Sequence, residues 1–302
     1  MKSRLLYGLA IGLLHLTALL PLRVLYIFSD GIYVLLYHCL HYRLQTVRRN
    51  LQRSFPAKSS GEIKDIERKF YHHLCDCIVE TVKLLHISDK EIDRRIEVTN
   101  GELVDKLLES KRPIILFLGH YGNWEWAQAI TRHYTRSVIS GQIYRPVRSK
   151  VMDNIMLRIR SRFPTTSIPQ KQAFRTLLRM NKEGQQSIIG FIADQRPNSS
   201  NLYYWTTFLH QETAYSTGGE AIGQRTGANY VYLDIEKTGR GHYRMTFKQI
   251  QPGCTETEYP YTLRFLQMLE ATICRSPEYW LWSHKRWRFS KQDNSNTNLK
   301  KN

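Results

Sequence analysis

Residues Pro113 to Glu125 read PIILFLGHYGNWE, and this stretch decides the fold. Ile114 to Leu118 is a short, unbroken apolar run closed by Gly119, the pattern of a strand buried on both faces. Polar residues follow at once, so the strand end delivers His120 and Glu125 to one place. Working outward, Ser187 to Ala193 repeats the buried-strand pattern. Tyr230 to Glu236 and Tyr243 to Ile250 add two more, joined by a Gly239-Arg240-Gly241 turn. Ser137 to Ile143 is a further candidate strand. Val151 to Arg162 and Lys171 to Met180 have helical periodicity, as does Ile63 to about Leu108, where Ser88 and Glu91 are spaced as a capping box. Strands alternating with helices predict an α/β protein, with a mixed central sheet flanked by helices.

The N-terminus is of another kind. Lys2 and Arg4 precede Leu5 to Leu20, which is uncharged and almost wholly apolar, with no small-residue cleavage motif after it. Pro21 and Arg23 then lead into a second apolar stretch, Val24 to Leu40, broken by Asp30 and Gly31. The first segment is short of the roughly 20 residues that span a bilayer, and Tyr7, Tyr26, Tyr33, Tyr37 and Tyr42 suit the headgroup level. Arg43, Arg48, Arg49 and Arg53 follow, and such flanks stay on the cytoplasmic side. The expected organisation is a membrane anchor helix or hairpin over 1–42, a catalytic domain over 43–290 and a disordered tail over 291–302.

Lys and Arg total 44 against 26 Asp and Glu, a net +18, which calls for an anionic partner. A nucleic-acid binder would share that charge. No helix-turn-helix, RNP or zinc-finger pattern is present, however, and an apolar N-terminus has no purpose there. Five scattered cysteines without a CxxC pair fit a reducing compartment. His72, His73, Cys75 and Cys77 lie on one helical run, point in different directions and read as packing, not as a metal site.

In open α/β sheets, ligands gather at the carboxyl ends of strands. Three polar groups sit at such ends: His120 to Glu125, Tyr144-Arg145-Pro146, and Asp194-Gln195-Arg196-Pro197. The H-x-x-x-x-E pair suits proton abstraction from an alcohol. A neutral imidazole is the common base near pH 7, and a carboxylate on its far nitrogen fixes the tautomer. Gly119 and Gly122 allow a sharp turn and a close approach of substrate. No G-x-S-x-G elbow supplies a covalent nucleophile, so direct attack by a hydroxyl on an activated acyl donor is the simplest chemistry.

HYGNWE after an apolar strand resembles the H-x4-D/E motif of the glycerolipid acyltransferase superfamily, in its lipid A late-acyltransferase form. VRRNLQRSFP (Val47 to Pro56), YRPVRSKVMDNIMLRIRSRF, IADQRP and SPEYWLWSHKRWR (Ser276 to Arg288) resemble further blocks of that family, in its order, across roughly residues 20 to 288. The resemblance implies transfer of a fatty acyl chain from acyl carrier protein, or acyl-CoA, to a hydroxyl of a phosphorylated lipid A precursor. The place it implies is the cytoplasmic face of the inner membrane. It makes His120 the base and Glu125 its orienter, has Arg160 and Asp194 complete the polar site, and offers Arg145 to a phosphate of the acceptor or of the donor's phosphopantetheine. No cofactor or metal is expected. Trp280, Trp282 and Trp287 among Lys285, Arg286 and Arg288 resemble an aromatic-basic membrane rim or, alternatively, a C-terminal helix packed on the sheet. The chain departs from the family pattern at Asn198 to Asn201 and at Phe208 to Gly218, where His210 and Glu212 are either a private feature or part of a solvated loop. Acylation of another lysolipid or aminolipid, or a non-catalytic membrane-bound relative, are the alternatives.

Overall fold

The computed structural model describes residues 2–134, 137–199, 202–252 and 257–291, with side chains from residue 7 onward. Most of the 291–302 tail, and Cys254, lie outside them. The N-terminal half contains α1 (Lys2–Leu19), α2 (Leu22–Tyr33), α3 (Leu44–Ser54), α4 (Ser60–Lys83), α5 (Asp89–Arg95), β1 (Ile96–Thr99), α6 (Glu102–Leu108), β2 (Ile114–Leu118) and β3 (Ile139–Tyr144). Then come α7 (Lys150–Arg160), β4 (Thr166–Pro169), α8 (Ala173–Lys182), β5 (Ser187–Ile192), β6 (Trp205–Phe208), β7 (Gln211–Ala214), α9 (Gly218–Thr226), β8 (Asn229–Gly239), β9 (His242–Gln249) and α10 (Pro260–Arg275).

Seven strands form the main sheet in the order β1-β9-β8-β2-β5-β3-β4. Every pair in it is parallel except β8 with β9, which are joined by the expected turn. The mixed α/β reading therefore holds. β2 is central, pairing Leu118 with Ile192 of β5 and Phe117 with Tyr232 of β8, so the carboxyl ends of β2 and β5 stand side by side. One face of the sheet packs on α10 and α9: Phe117 stacks on Phe265 at 5.0 Å, and Gly219 sits so close to Phe117 and Phe191 that no side chain would fit. Leu116, Leu118, Ile188 and Ile192 face the other way, towards a 3-10 turn at Trp126–Arg132.

Ser88 caps α5 by accepting the Glu91 N–H, while a complete capping box, with both bonds, is built one helix earlier by Ser59 and Glu62. Strands β1, β4 and the β6–β7 hairpin were not expected from the sequence, nor was α10. The start of the Phe208 to Gly218 segment belongs to that hairpin, with Phe208 and Leu209 buried and His210 and Glu212 exposed.

The two apolar N-terminal segments are helices, as expected, but they are not a detached tether. α2 continues through a π-helical turn at Val34–Cys39, and Leu22–Cys39 is the one described helix long and apolar enough to cross a membrane. It lies along α4, which meets it with polar groups. Tyr26 donates to Glu80, Ser29 to Asp76 and Tyr37 to Glu67. Lys83 Nζ donates to the carbonyls of Ala18 and Leu20, closing the C-terminal end of α1. Outward, Leu9, Leu13, Leu16, Leu19, Ile27 and Phe28 are exposed. The positive flank is partly consumed: Arg48 pairs with buried Glu67, and Arg43 holds the Ser283 carbonyl. The His72 to Cys77 cluster packs as read, His72 stacked on Tyr33 and His73 on the Gly122 carbonyl.

Candidate active site

The ladder between β2 and β5 ends with Ala193 N–H donating to the Leu118 carbonyl at 3.3 Å. Beyond it the Asp194 side chain takes over. Its Oδ2 accepts the backbone N–H of His120 at 2.9 Å, and its Oδ1 meets His120 Nδ1 at 2.7 Å. Trp280 Nε1–H also donates to Oδ2, at 2.8 Å. Burial alone would raise the Asp194 pKa, but the charge and hydrogen bonds of His120, with the Trp280 bond, outweigh it and bring it to about 2. The carboxylate is therefore ionised at neutral pH and accepts only, so Nδ1 of His120 carries the proton.

The other ring nitrogen agrees. Gln195 Nε2, a donor, lies 3.1 Å from His120 Nε2, which leaves a lone pair at Nε2. Asp194 and Gln195, adjacent in sequence, thus select one tautomer, the one a general base needs.

This corrects the expectation for Glu125. Its carboxylate is not on His120; it is held by Arg160, whose Nε and Nη2 donate to Oε2 and Oε1 at 2.9 and 2.5 Å. Burial works against the Arg160 charge, but Glu125 more than compensates and raises the guanidinium pKa. Arg160 reaches Glu125 from the last turn of α7. Arg145 stands exposed just past β3, close enough to Arg196 for their charges to interact.

The loop between His120 and Glu125 is fixed from below. Gly122 has φ +58°, so it makes the sharp turn, but the close approach there is to Ile235, which a Cβ would meet at 2.7 Å. Gly119 is likewise pressed on Leu269, so these glycines serve core packing and not substrate access. Asn123 caps the following turn by accepting the Trp126 N–H, and donates to buried Glu80 at 2.6 Å. Glu80 also accepts from Tyr243 and Tyr26. From above, the C-terminal segment wraps the strand end: Leu281 N–H donates to the His120 carbonyl, and Tyr121 bridges to Trp280. Trp280 and Trp282 are 3% and 0% exposed. They therefore pack into the interior, as the packing alternative had it, but on extended chain and turns and not on a helix, while Lys285 and Arg288 stay exposed.

Two hollows lie beside the neighbours of the His120 ring, one at Trp124 and one at Gln195. A narrow one of about 50 Å³ runs under the Trp126–Arg132 turn, lined by Leu116, Leu118, Ile188, Gly190, Ile192 and Trp124. The Trp124 ring meets the His120 ring edge-on at 5.2 Å. The second, an open cleft of about 390 Å³, is lined by Gln195, Ser283 and His284 on one side and by Leu36, Tyr42 and Arg43 near the N-terminal helices on the other.

A family model described as bacterial lipid A biosynthesis acyltransferase matches residues 2–289. The chain belongs to that family. It is an acyltransferase, as its relatives' names agree. The chain is 23% identical over 286 residues to the lipid A biosynthesis lauroyltransferase of Escherichia coli (strain K12), covering 93% of this chain and 90% of that one. It is 21% identical over 279 residues to the lipid A biosynthesis palmitoleoyltransferase of the same organism, covering 92% of this acyltransferase and 89% of the relative. A lipid A biosynthesis acyltransferase of Shigella flexneri matches to the same extent.

Proposed function

We propose that this acyltransferase moves a fatty acyl chain from a carrier thioester to a hydroxyl of a phosphorylated lipid A precursor at the cytoplasmic face of the inner membrane. The thioester is that of acyl carrier protein, or of coenzyme A. The observation that carries the mechanism is the single tautomer imposed on His120 by Asp194 and Gln195. The acceptor hydroxyl replaces the Gln195 N–H as donor to Nε2. His120 takes the hydroxyl proton as the oxygen attacks the thioester carbonyl, and Asp194 stabilises the imidazolium. A C–O bond forms, the C–S bond breaks, and the proton passes from His120 to the leaving thiolate. Glu125 and Arg160 hold α7 against the catalytic loop, so their contribution to the base is positional. Arg145 meets a phosphate at the rim.

The acyl chain enters at the narrow hollow beside Trp124, whose walls are mostly apolar; at about 50 Å³ it takes only the first carbons as it stands, so the Trp126–Arg132 turn above it gives way to admit the rest. The exposed Leu, Ile and Phe side chains of α1 and α2 enter the lipid surface in its plane. α2 is docked on α4 through polar groups, which favours lying on the membrane over crossing it.

The test is transfer by purified protein in detergent from a labelled acyl carrier protein thioester. A tetra-acylated lipid A precursor and a lysophospholipid are offered in parallel. Transfer to the former alone is expected. Transfer only to the lysophospholipid would move the enzyme to another pathway, and no transfer to either would leave a non-catalytic relative.

A further inference from the structure

Unpartnered polar groups are rare inside folded proteins, because each buried donor left unpaired forfeits its hydrogen bond to water, and a charged one forfeits more. Here they gather in one place. Among the described residues, the buried side-chain nitrogens and oxygens without a hydrogen-bond partner include Nε, Nη1 and Nη2 of Arg286, Nε of Arg196 and Nδ1 of His284. Arg286 is only 3% exposed, so its guanidinium is shut off from bulk solvent. His284 lies within charge range of Asp194, Arg286, His120 and Arg196 together, which puts this cluster around the strand ends that carry the base.

The electrostatics are as uneven as the hydrogen bonding. Among the described residues the one acid acting on Arg286 is Asp194, and that carboxylate is already engaged by His120 and Trp280. Arg196 is in turn opposed by Arg288 and Arg145. Burial lowers the Arg286 pKa to about 10, with Asp194 opposing the shift, so the guanidinium stays charged at neutral pH. A buried, charged fork with every side-chain donor free costs the fold dearly unless something anionic completes it. His284, by contrast, is driven mainly by burial to about 4 and is neutral, so it adds a hydrogen bond and no charge.

We propose that Arg286, Arg196 and His284 form a phosphate-binding subsite beside His120, reached through the cleft lined by Gln195, Ser283 and His284. Phosphate fits because its several oxygens accept in the planar, forked geometry a guanidinium offers, and because its charge offsets the surplus of arginines. The proposal rests on the acyl-transfer reading for the identity of the ligand. The phosphate belongs either to the lipid acceptor or to the phosphodiester of the donor's pantetheine arm. In both cases the subsite holds the substrate by its anion and leaves the reacting group to His120.

The test uses the full-length protein in mixed micelles, with two comparisons of substrate. The acceptor is offered with its phosphates intact or removed; the donor is offered as the carrier thioester or as acyl-N-acetylcysteamine, which has none. For Arg196→Gln and Arg286→Met, KM is expected to rise about tenfold or more on the phosphorylated substrate, with kcat changed about threefold or less. The preference for phosphate is expected to collapse in one arm. Loss in the acceptor arm assigns the site to the lipid, and loss in the donor arm assigns it to the pantetheine phosphate. Arg286→Lys should restore only part of the effect, since a point charge lacks the fork. Persistence of both preferences in Arg196→Gln would overturn the proposal, and that variant serves even if Arg286→Met does not fold. Independently of turnover, inorganic phosphate at matched ionic strength should raise the melting temperature of the wild type more than chloride does. Equal rises for wild type and Arg196→Gln would count against the subsite, even for a protein that transfers nothing.

Discussion

Strand β2 and helix α2 both draw heavily on Ile, Leu and Phe, and the fold uses these residues in opposite senses. In β2 no residue is more than 5% exposed, and both faces are covered by apolar side chains. In α2, Ile27 is 70% and Phe28 54% exposed, while Ser29 is 1% exposed and hydrogen-bonded to Asp76. The neighbour makes the difference. β2 lies between β5 and β8, which offer Ile, Phe, Val and Tyr. α2 lies on α4, which offers Glu67, Asp76 and Glu80. A helix whose polar atoms are taken up by protein and whose apolar atoms face outward suits the lipid contact proposed for it. Hydrophobicity marks a segment as avoiding water; the partner decides on which side.

The contrast breaks most readily at Asp76, which accepts from Ser29 and Arg240 and is paired with Lys237. Asp76→Ala strands these groups and should cost about 2–4 kcal/mol in urea unfolding. An effect below about 0.5 kcal/mol, the range of an ordinary surface change, would mean that the polar seam does not hold the helix.

On the sheet side, Gly190 faces the narrow hollow, and a Cβ there would make only ordinary contacts, the nearest 3.6 Å away at the Gly141 carbonyl. Gly190→Ala should therefore fold and shorten the preferred acyl chain, slowing the longest donors severalfold. An unchanged chain-length profile would place the acyl chain elsewhere. On the helix side, Ile27→Ser with Phe28→Ser should lower vesicle co-sedimentation about tenfold. Stability should stay within about 1 kcal/mol and turnover in micelles unchanged. Unchanged vesicle binding would remove α2 from the membrane contact.

The smallest expected effect is on pH dependence. Burial holds His284 at about 4, against an ordinary 6.5, and lowers His73 as well. Both are neutral in the fold but take up protons when unfolded. Their share of stability is complete above about pH 6.5 and is lost as pH falls towards 4. Asp194 does not add to this window, because its share is lost only as pH falls from 3.8 towards 2. The melting temperature should drop from pH 7 to 4.5, and His284→Gln should flatten part of that slope.

These differences also explain what could be read in advance. The central strands were legible because they are unbroken apolar runs. β1 (Ile96-Glu97-Val98-Thr99) and β4 are four residues long and lie at the sheet edges, with little period to detect. The β6–β7 hairpin turns at Leu209 and His210, with φ of 49° and 59°. Such turns usually announce themselves by Asn-Gly or Asp-Gly. Here Leu209 instead has its N–H held by Glu270, 61 positions away in sequence. His120 and Asp194 were legible as residues at strand ends, and Arg160 by family resemblance alone. Their pairing was not, because H-x4-E spacing says nothing about which carboxylate reaches the ring. That depends on β5 lying next to β2, a register no local pattern encodes. Arg286 was hidden for the same reason: in sequence it is one basic residue among several, and only its burial sets it apart.

The most direct measurement is single-turnover acyl transfer by His120→Ala, Asp194→Asn and Glu125→Gln in parallel, with acyl carrier protein thioester and a lipid A precursor. If Asp194 sets the tautomer, Asp194→Asn should lose about 10⁴-fold, as neutralising a triad carboxylate does, and fall within about tenfold of His120→Ala. Glu125→Gln should lose about 10- to 100-fold, through Arg160 and the loop. Asp194→Asn close to wild type, with Glu125→Gln as inactive as His120→Ala, would contradict this account and return the orienting role to Glu125.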